Sequence, residues 1–289
     1  MFNRIRVILL LLVLIPSALA AAENTIAFGL TPVFLDNQVS FLQRWQKYLE
    51  ERTGLAVRFV QRQTYREITQ MVLSRELDGA WLCGYPYVQH RSELELLAIP
   101  HYYNQPLYRS YLIVHSDDQV TQTIENLKGK SFAYSDPDSN SGFLVPQAEL
   151  VNRGFDPRAF FSRSFFTLAH RNVVRAVARG LADGGAVDGY VWDSLEAIDP
   201  QLTGKTRIVV KSELFGFPPI VTHRQMSERV RGLKRALLRM HEDEEGRQLL
   251  KELNLDAFGE ADDSLYDSIA ALARVVGDKV SAGEPELPF

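Results

Sequence analysis

Residues 133–146 decide the fold, and they read AYSDPDSNSGFLVP. A short apolar strand ends at Tyr134, a polar loop follows, and a helix is predicted over residues 142–153. Strand, loop and helix in this order form the repeating unit of α/β proteins. The loop places hydroxyl and amide side chains at a helix N-terminus, where backbone N–H groups without intrahelical partners attract anions. The stretch therefore predicts an α/β fold with an anion site, although a helix cap, for which one serine suffices, is the simpler alternative.

The same alternation of strands and helices runs through the chain on both sides of this stretch. Upstream, the order βαβαβ is typical of a parallel sheet covered by helices. Downstream, further strands and helices predict a second α/β lobe, and the last part of the chain is mainly helical. The predicted strands are residues 25–30, 56–60, 79–83, 111–115, 131–134, 185–191, 207–210 and 220–222.

The two predicted lobes are not joined by a Pro-, Gly- or Ser-rich linker. Independent domains in series usually have such a linker, whereas a chain that enters the second lobe and then returns to the first needs none. We place the first crossing near residues 108–115 and the return near residues 215–222. The predicted division is residues 23–112 in lobe 1, 113–214 in lobe 2, and 215–289 back in lobe 1 with the C-terminal helices.

Residues 1–22 have the pattern of a cleaved secretory signal peptide. Arg4 and Arg6 precede an unbroken apolar run at residues 7–15, and a proline and small residues follow it. A membrane anchor is the alternative, but the run is shorter than the roughly 20 apolar residues that a spanning helix needs. We therefore expect a mature protein that is soluble in the periplasm, not inserted in the membrane, and by default a monomer.

The composition argues against several classes of protein. The 289 residues carry 32 basic and 36 acidic side chains, so the net charge is −4, and no basic stripe is available to hold nucleic acid. The single cysteine, Cys83, lies in an apolar stretch, which excludes an intrachain disulfide and favours a buried, inert thiol over a nucleophile. The six histidines have no metal-ligand spacing, so we expect neither a metal nor a cofactor.

His170 lies just before a second predicted helix, which starts near Arg171. Its imidazole could donate a hydrogen bond to an anionic oxygen. Because histidine titrates near neutrality, this residue could also sense the charge of a ligand. A solvated or capping histidine is the simpler alternative.

Acidic and aromatic residues end the predicted strand at residues 185–191. Such strand ends open onto ligand crevices in parallel sheets. Asp188 is a candidate acceptor for a protonated ligand oxygen, and Tyr190 or Trp192 is a candidate wall of the cleft. Packing in the core is the alternative for Trp192 and its neighbour Val191.

Three tyrosines are candidates to close over an anion from the first lobe. Tyr65 opens a predicted helix, Tyr85 follows the strand at residues 79–83, and Tyr108 lies at the first crossing. Their hydroxyls could donate to an oxyanion, although tyrosine rings often pack with only the hydroxyl in water. We favour Tyr65 of the three.

Together these segments resemble the phosphate-, phosphite- and phosphonate-binding proteins of ABC transporters, and the resemblance extends over nearly the whole mature chain. The family's Ser-Thr-Ser-Gly-Tyr-like run before a helix, followed by a proline, corresponds to residues 139–143 and Pro146. Its histidine before a helix that ends in an Ala-Val-Ala-x-Gly-like stretch corresponds to His170 and residues 176–180. Its Val-Asp-Ala-like strand corresponds to residues 182–190.

The resemblance implies a type II periplasmic binding-protein fold, in which each lobe is a mostly parallel sheet flanked by helices. It also implies that a phosphorus oxyanion binds between closing lobes. The implied partner is an ABC permease, or a membrane sensor that receives the liganded protein. The resemblance assigns contacts with the phosphonyl oxygens to Ser139, Asn140, Ser141, His170, Tyr65 and a tyrosine near Tyr108.

Two residues depart from the family's pattern. Asn140 stands in place of the usual threonine, which keeps a donor but changes its reach. Tyr190 stands where aminoalkylphosphonate binders have an acidic residue for the ligand amine, and an amine buried without a carboxylate would be costly. We therefore expect phosphate, phosphite or a small phosphonate with an uncharged tail, although Asp188 could take over the role of the amine's partner.

Two other functions fit parts of the pattern. A hydrolytic enzyme could use His170, Asp188 and a serine as a triad, but the sequence has no nucleophile-elbow motif and no metal-binding pair, so we expect no enzyme. A sulfonate or heterocyclic ligand fits the same fold. A sulfonate has no titratable proton, so tight binding that is lost on protonating or removing His170 would count against it.

Overall fold

The structure is a computed structural model, and it describes residues 24–32 and 39–280. The predicted signal peptide lies outside the described residues. Within the described ranges, no helix combines the length and the apolar composition that crossing a membrane requires.

Two sheets and their covering helices account for most of the described chain. The strands are β1 (Thr25–Leu30), β2 (Ala56–Gln61), β3 (Gly79–Trp81), β4 (Leu94–His101), β5 (Leu107–Tyr108), β6 (Ser110–His115), β7 (Ser131–Tyr134), β8 (Arg163–Phe166), β9 (Gly184–Asp188), β10 (Thr206–Lys211), β11 (Phe215–Gly216), β12 (Ile220–His223) and β13 (Ala257–Gly259). The helices are α1 (Val39–Thr53), α2 (Tyr65–Leu73), α3 (Gly84–His90), α4 (Val145–Asn152), α5 (Pro157–Phe160), α6 (His170–Ala178), α7 (Gly189–Ile198), α8 (Pro200–Thr203), α9 (Arg231–Leu238), α10 (Glu244–Glu252) and α11 (Asp267–Val280).

Both sheets are mixed. The first has the strand order β13-β4-β12-β3-β1-β2, and the second has the order β10-β6-β9-β7-β8. The resemblance implied mostly parallel sheets, but two of the five strand contacts in the first sheet and two of the four in the second are parallel. The antiparallel contacts arise where the chain crosses: β12 returns between β3 and β4, and β6 enters the second sheet next to β9.

A short antiparallel ladder of β5 and β11 lies where the chain passes between the sheets, and it pairs Tyr108 with Phe215. The chain leaves the first sheet before this ladder and joins the second at Ser110. It leaves the second sheet at Lys211 and rejoins the first at Ile220. The lobe boundaries at residues 112 and 214 stay predictions.

Helical spacing of large apolar residues explains how α1 covers the first sheet. Phe41, Trp45, Tyr48 and Leu49 recur every three or four residues, so they share one face of the helix and are buried. Burying each such side chain contributes about 1.5–3 kcal/mol to folding. The ring of Trp45 packs edge-on against Phe28 of β1, so α1 packs directly on the first strand of the sheet.

The predicted strand at residues 185–191 ends earlier than expected. β9 stops at Asp188, and α7 begins at Gly189. The Asp188 carboxylate accepts hydrogen bonds from the backbone N–H groups of Tyr190 and Val191, which makes it the N-cap of a helix. The spacing of apolar residues after Asp188 is compatible with either a strand or a helix. The helix cap made by the Asp188 carboxylate therefore decides that a helix forms.

A buried carboxylate ties the returning segment to the start of the first sheet. Asp78 accepts a hydrogen bond from the backbone N–H of Ala27 at 2.7 Å, and the guanidinium of Arg229 donates to its other oxygen. A second nitrogen of Arg229 donates to the carbonyl of Thr25 at 2.6 Å. The bond between Arg229 and Asp78 joins residues 151 positions apart in the sequence, so Asp78 ties the returning segment to the first sheet.

Asp78→Asn should lower the free energy of unfolding by about 2–4 kcal/mol, because the Arg229 cation loses its carboxylate partner while the volume is unchanged. Urea unfolding measures this change. The matched control is Asp267→Asn, which removes an exposed ion pair with Arg91 and should cost less than about 1 kcal/mol. Equal effects of the two substitutions would contradict the role given to Asp78.

Candidate functional site

The polar triplet Ser139-Asn140-Ser141 lies at the start of a π-helical turn, Asn140–Leu144, that leads into α4. All three side chains are fully buried. The Ser139 hydroxyl accepts a hydrogen bond from the backbone N–H of Gly142 at 3.0 Å, and the Ser110 hydroxyl donates to the Ser141 carbonyl at 2.7 Å. The loop is therefore held rigidly after β7, as the strand–loop–helix pattern predicted.

Asn140 connects this loop to residues outside the second sheet. Its backbone N–H donates to the Cys83 sulfur at 3.2 Å, and its side-chain nitrogen donates to the Tyr108 hydroxyl at 2.9 Å. Burial raises the pKa of Cys83 to about 11, so the sulfur is a thiol and not a nucleophile at neutral pH. The structure thus brings the predicted triplet together with the predicted Tyr108.

Four polar side-chain atoms at this junction are buried without a hydrogen-bond partner among the described residues. They are the hydroxyl oxygens of Tyr65, Ser135 and Ser141 and the carbonyl oxygen of the Asn140 side chain. Buried polar groups are nearly always paired, because an unpaired group costs about 1–3 kcal/mol. Tyr65 comes from the first residue of α2 and the other three come from the loop after β7, so the unsatisfied atoms belong to both halves of the chain.

His170 opens α6 next to the triplet. The backbone N–H of Asp188 donates to its Nδ1 at 3.1 Å, so the ring proton is on Nε2, which lies 3.5 Å from the Ser139 hydroxyl oxygen. Burial lowers the pKa of His170 to about 3. The sequence suggested that this histidine could sense ligand charge near neutrality. This lowered pKa argues against that expectation, because a neutral imidazole accepts a hydrogen bond at Nδ1 and can donate one at Nε2.

Asp188 is buried beside His170, and one of its two carboxylate oxygens already accepts hydrogen bonds. One of its oxygens caps α7 through Tyr190 and Val191. Burial raises the pKa of Asp188 to about 8, against the lowering effect of the two backbone hydrogen bonds. The carboxyl group therefore belongs to the buried site but is not a free acceptor on both of its oxygens.

The structure places the remaining aromatic candidates at the margin of the site. The Tyr190 hydroxyl donates to the Leu253 carbonyl, so only its ring is available as a cavity wall. Trp192 donates to Thr206 at 3.1 Å within the second sheet's core. Tyr85 is half-buried on α3, and burial, with a smaller contribution from the nearby Asp138 carboxylate, raises its pKa.

The site is buried and has no cationic side chain in its interior. Among the described residues, the fully buried polar side chains include no lysine or arginine, whereas Asp136 and Asp188 are both present. Neutral hydroxyl, amide and imidazole donors would have to hold an anion here, helped by helix N-termini. The N-cap of α6, Ala169, has no side chain that could cap the helix. The N–H groups of Asn172 and Val173 donate to the Ala169 carbonyl, so the backbone N–H groups of His170 and Arg171 are the ones at this helix start that an anion could use. No described cluster of three histidine, cysteine or acidic side chains is placed to hold a metal ion.

Three residues of the site were not among the sequence-based candidates: Ser135, Asp136 and Cys83. Ser135 and Asp136 lie in the quoted loop directly after β7, so a stricter use of the strand-end rule would have included them. Cys83 was expected to be buried and is, at 3% exposure. Its contact with Asn140 depends on how the two halves of the chain pack together, and no local sequence pattern predicts that packing.

Comparison with known proteins gives an independent description of the chain. A family model described as an ABC transporter, phosphonate, periplasmic substrate-binding protein matches residues 28–266. The Phosphate-import protein PhnD of Mycolicibacterium smegmatis is 28% identical over 181 residues, which cover 58% of this chain and 56% of that protein. The Phosphonates-binding periplasmic protein of Escherichia coli is 25% identical over 222 residues, which cover 74% of this chain and 65% of that protein. Each match spans less than two thirds of the relative's length.

A solved structure shares the fold. A binding protein component of an ABC phosphonate transporter from Pseudomonas aeruginosa superimposes with a TM-score of 0.81 at 24% identity, covering 91% of this chain and 90% of that one. This likeness confirms the predicted type II periplasmic binding-protein fold.

Gly142→Ala should destabilise the loop, because an added Cβ would lie 1.9 Å from the Ser135 hydroxyl oxygen and 3.0 Å from the His170 ring. We expect a loss of about 1–3 kcal/mol in urea unfolding. Gly232→Ala is the matched control: the nearest atom to its Cβ is 3.9 Å away, and alanine in a helix should stabilise by up to about 1 kcal/mol. If both variants behaved alike, the close packing around Gly142 would be wrong.

The acid side of the stability profile should depend on His170. Below pH 6.5 the unfolded chain binds a proton that the folded protein, with its His170 pKa near 3, does not bind, so stability falls as the pH falls. His170→Gln removes this contribution. The difference in free energy of unfolding between wild type and variant should therefore shrink by about 2 kcal/mol from pH 7 to pH 5. His115→Gln, at a partly exposed histidine, is the control, and parallel profiles for wild type and His170→Gln would refute the buried neutral imidazole.

Proposed function

Because the chain belongs to the family of periplasmic substrate-binding proteins of phosphonate ABC transporters, we propose that it binds a small phosphorus oxyanion between two closing lobes. The family consists of transport proteins and not of enzymes. The proposed ligands are phosphate, phosphite and small phosphonates. The proposed lobes are built on the first and the second sheet, and the β5–β11 ladder is the hinge between them.

The observation that supports this proposal is that buried oxygens without hydrogen-bond partners come together from both halves of the chain. Tyr65 belongs to the first lobe, and Ser135, Asn140 and Ser141 belong to the second. The oxygens of a tetrahedral anion would accept hydrogen bonds from the hydroxyls of Tyr65, Ser135 and Ser141. His170 would add its Nε2 proton from the same side as Ser139.

Neutral donors suit an anion that must be released to a transporter. Rigid N–H and O–H dipoles around a dry cavity stabilise charge strongly, because the local dielectric is low and no reorganisation is needed. The helix N-termini of α4 and α6 add partial positive charge. A buried lysine or arginine is therefore not required, and the interior of the site has none among the described residues.

The chemistry of Asn140 favours a ligand that carries an O–H group. A carbonyl oxygen of an amide side chain can only accept a hydrogen bond, and in Asn140 this oxygen has no partner. A singly protonated phosphate, phosphite or phosphonate supplies the missing donor. A sulfonate or sulfate is fully ionised at neutral pH and does not, so the sulfonate alternative within the same fold is less well supported.

The aromatic wall favours a small, uncharged tail. The Tyr190 ring packs against Tyr102 and Phe217. By the resemblance to the family, Tyr190 stands where aminoalkylphosphonate binders have an acidic residue for the ligand amine. Asp193, the next carboxylate along α7, already accepts hydrogen bonds from the hydroxyls of Tyr102 and Tyr111 at 2.8 and 3.0 Å. An ammonium group would have to displace these bonds or those that Asp188 makes to α7.

The proposed biological role is delivery of the liganded protein to the permease of an ABC importer in the periplasm, after export by the predicted signal peptide. The alternative recipient is a membrane sensor. Both uses require the same closed, liganded form, so the ligand is the first property to establish.

Calorimetry on the ligand-stripped protein tests the proposal with phosphate, phosphite, methylphosphonate, aminoethylphosphonate, sulfate and methanesulfonate. We expect micromolar or tighter binding of at least one phosphorus anion, and weaker binding of aminoethylphosphonate and of both sulfur anions. Tyr65→Phe should weaken binding about 10- to 100-fold, since one hydrogen bond to a charged ligand is lost. The Ser139→Ala/Ser141→Ala double variant should abolish it.

Tyr48→Phe is the matched control for Tyr65→Phe. Its hydroxyl is also at least partly buried, but it bonds to Asp243 on the far side of the first lobe, so ligand affinity should not change. Failure of the folded wild type to bind any of the phosphorus anions would overturn the proposal. Tighter binding of methanesulfonate than of every phosphorus anion would shift it to the sulfonate alternative.

A further inference from the structure

Asp136 is a buried carboxylate whose role the ligand proposal does not explain. It lies in the loop between β7 and the triplet and is 1% exposed. One of its oxygens accepts a hydrogen bond from the backbone N–H of Tyr65 at 3.2 Å, and the other accepts one from the backbone N–H of Asp138 at 2.8 Å. Its backbone carbonyl accepts a third, from Ser139 at 3.0 Å. Asp136 therefore shapes the anion loop and also reaches the other half of the molecule.

The bond to Tyr65 is a helix cap supplied from the opposite lobe. Tyr65 is the first residue of α2, and Thr64 already accepts a hydrogen bond from Glu67 as the local N-cap. The N–H of Tyr65 is one of the groups at a helix start that have no partner within the helix. A carboxylate at this position is also favoured by the helix dipole. The second lobe thus completes the capping of a first-lobe helix whose first side chain is a candidate ligand contact.

We propose that Asp136 is a positioning residue that holds the two lobes in the ligand-binding arrangement. The bond to Tyr65 can form only when the lobes meet, and it fixes the first residue of α2, which carries the Tyr65 side chain, against the loop after β7. This inference rests on the proposed function, because it assigns to Asp136 the closure that the function requires.

An ion pair near this point, also between the two halves, is much weaker. Arg66 pairs with Asp138 across the same boundary at 3.3 Å, but the arginine side chain is 69% exposed. An exposed ion pair of this kind contributes little, because solvent screens it and two long side chains must be ordered. A buried, charge-assisted hydrogen bond is stronger. The neighbouring pair at Asp138 therefore provides a matched comparison for Asp136.

Cys83 gives a direct readout of lobe separation without any engineering. It is the only cysteine in the sequence, it is buried, and its sulfur accepts the Asn140 N–H across the boundary. A thiol-alkylating reagent reaches it only when the lobes part or the protein unfolds. The rate of alkylation by N-ethylmaleimide therefore measures the open population, once the contribution of global unfolding has been subtracted from urea data.

The experiment compares wild type, Asp136→Ala, Asp136→Asn and Asp138→Asn, first without any anion and then with saturating phosphate or whichever phosphorus anion binds. Without an anion, Asp136→Ala should alkylate at least tenfold faster than wild type, and Asp136→Asn should be intermediate because the amide keeps one acceptor oxygen. Asp138→Asn should stay within twofold of wild type. In calorimetry, Asp136→Ala should bind the anion at least tenfold more weakly. Urea unfolding of each variant supplies the correction for global unfolding, because loss of the buried hydrogen bonds to the Asp136 carboxylate also lowers the stability of the fold.

Two results would overturn the inference. One is an alkylation rate for Asp136→Ala, corrected for unfolding, that equals that of wild type. The other is an equal acceleration in Asp138→Asn, which would assign closure to the surface pair. If Asp136→Ala does not fold, Asp136→Asn decides between the same outcomes. The alkylation rates without an anion test the role of Asp136 independently of the ligand. If the wild type bound no phosphorus compound, the proposed function would be wrong, but these rates would still show whether Asp136 holds the lobes together.

Discussion

A buried hydroxyl or amide oxygen without a partner costs about as much as a typical point mutation, about 1–3 kcal/mol, and this protein gathers four of them around one loop. Such a concentration is stable only if the surrounding structure prevents the loop from relaxing. The Ser139 cap on Gly142, the Ser110 bond to the Ser141 carbonyl and the Asn140 bonds to Cys83 and Tyr108 provide that restraint. The two sheets can be understood as the scaffold that keeps these groups dry and in place until a ligand satisfies them.

The pKa values of the titratable groups in the site are set by burial more than by neighbouring opposite charges. Burial keeps His170 neutral, raises the pKa of Asp136 to about 6 and raises that of Asp188 to about 8. Under the proposed function, an anion would be recognised through the direction of the dipoles around it. The shape and protonation of that ligand would then matter more than its total charge.

The sequence predicted the parts of the structure that depend on local pattern. The strand at residues 131–134, the polar triplet and the histidine at a helix start were all placed correctly, since each is a short motif with its own physical signature. It missed β4, β8 and β13 and the two-residue strands β5 and β11. It extended β9 through Val191, because an apolar run of this length fits a strand or a helix until the cap is known. Asp136 was quoted but not recognised, because its partner Tyr65 lies 71 residues away. Long-range partners of this kind have no signal in a single sequence.

The first sheet also has a consequence for the order in which the molecule can fold. Its central strand β3 pairs with β12, which lies about 140 residues later, and the Thr222 hydroxyl bonds to the Asp78 carbonyl over the same separation. The second sheet, by contrast, is built from one uninterrupted stretch of chain, residues 110–211. Contacts between residues as far apart as those of β3 and β12 form slowly, because a long loop must close before any of them is made. The half of the molecule that holds the N-terminal strand therefore stays incomplete until β12 is available to pair with β3.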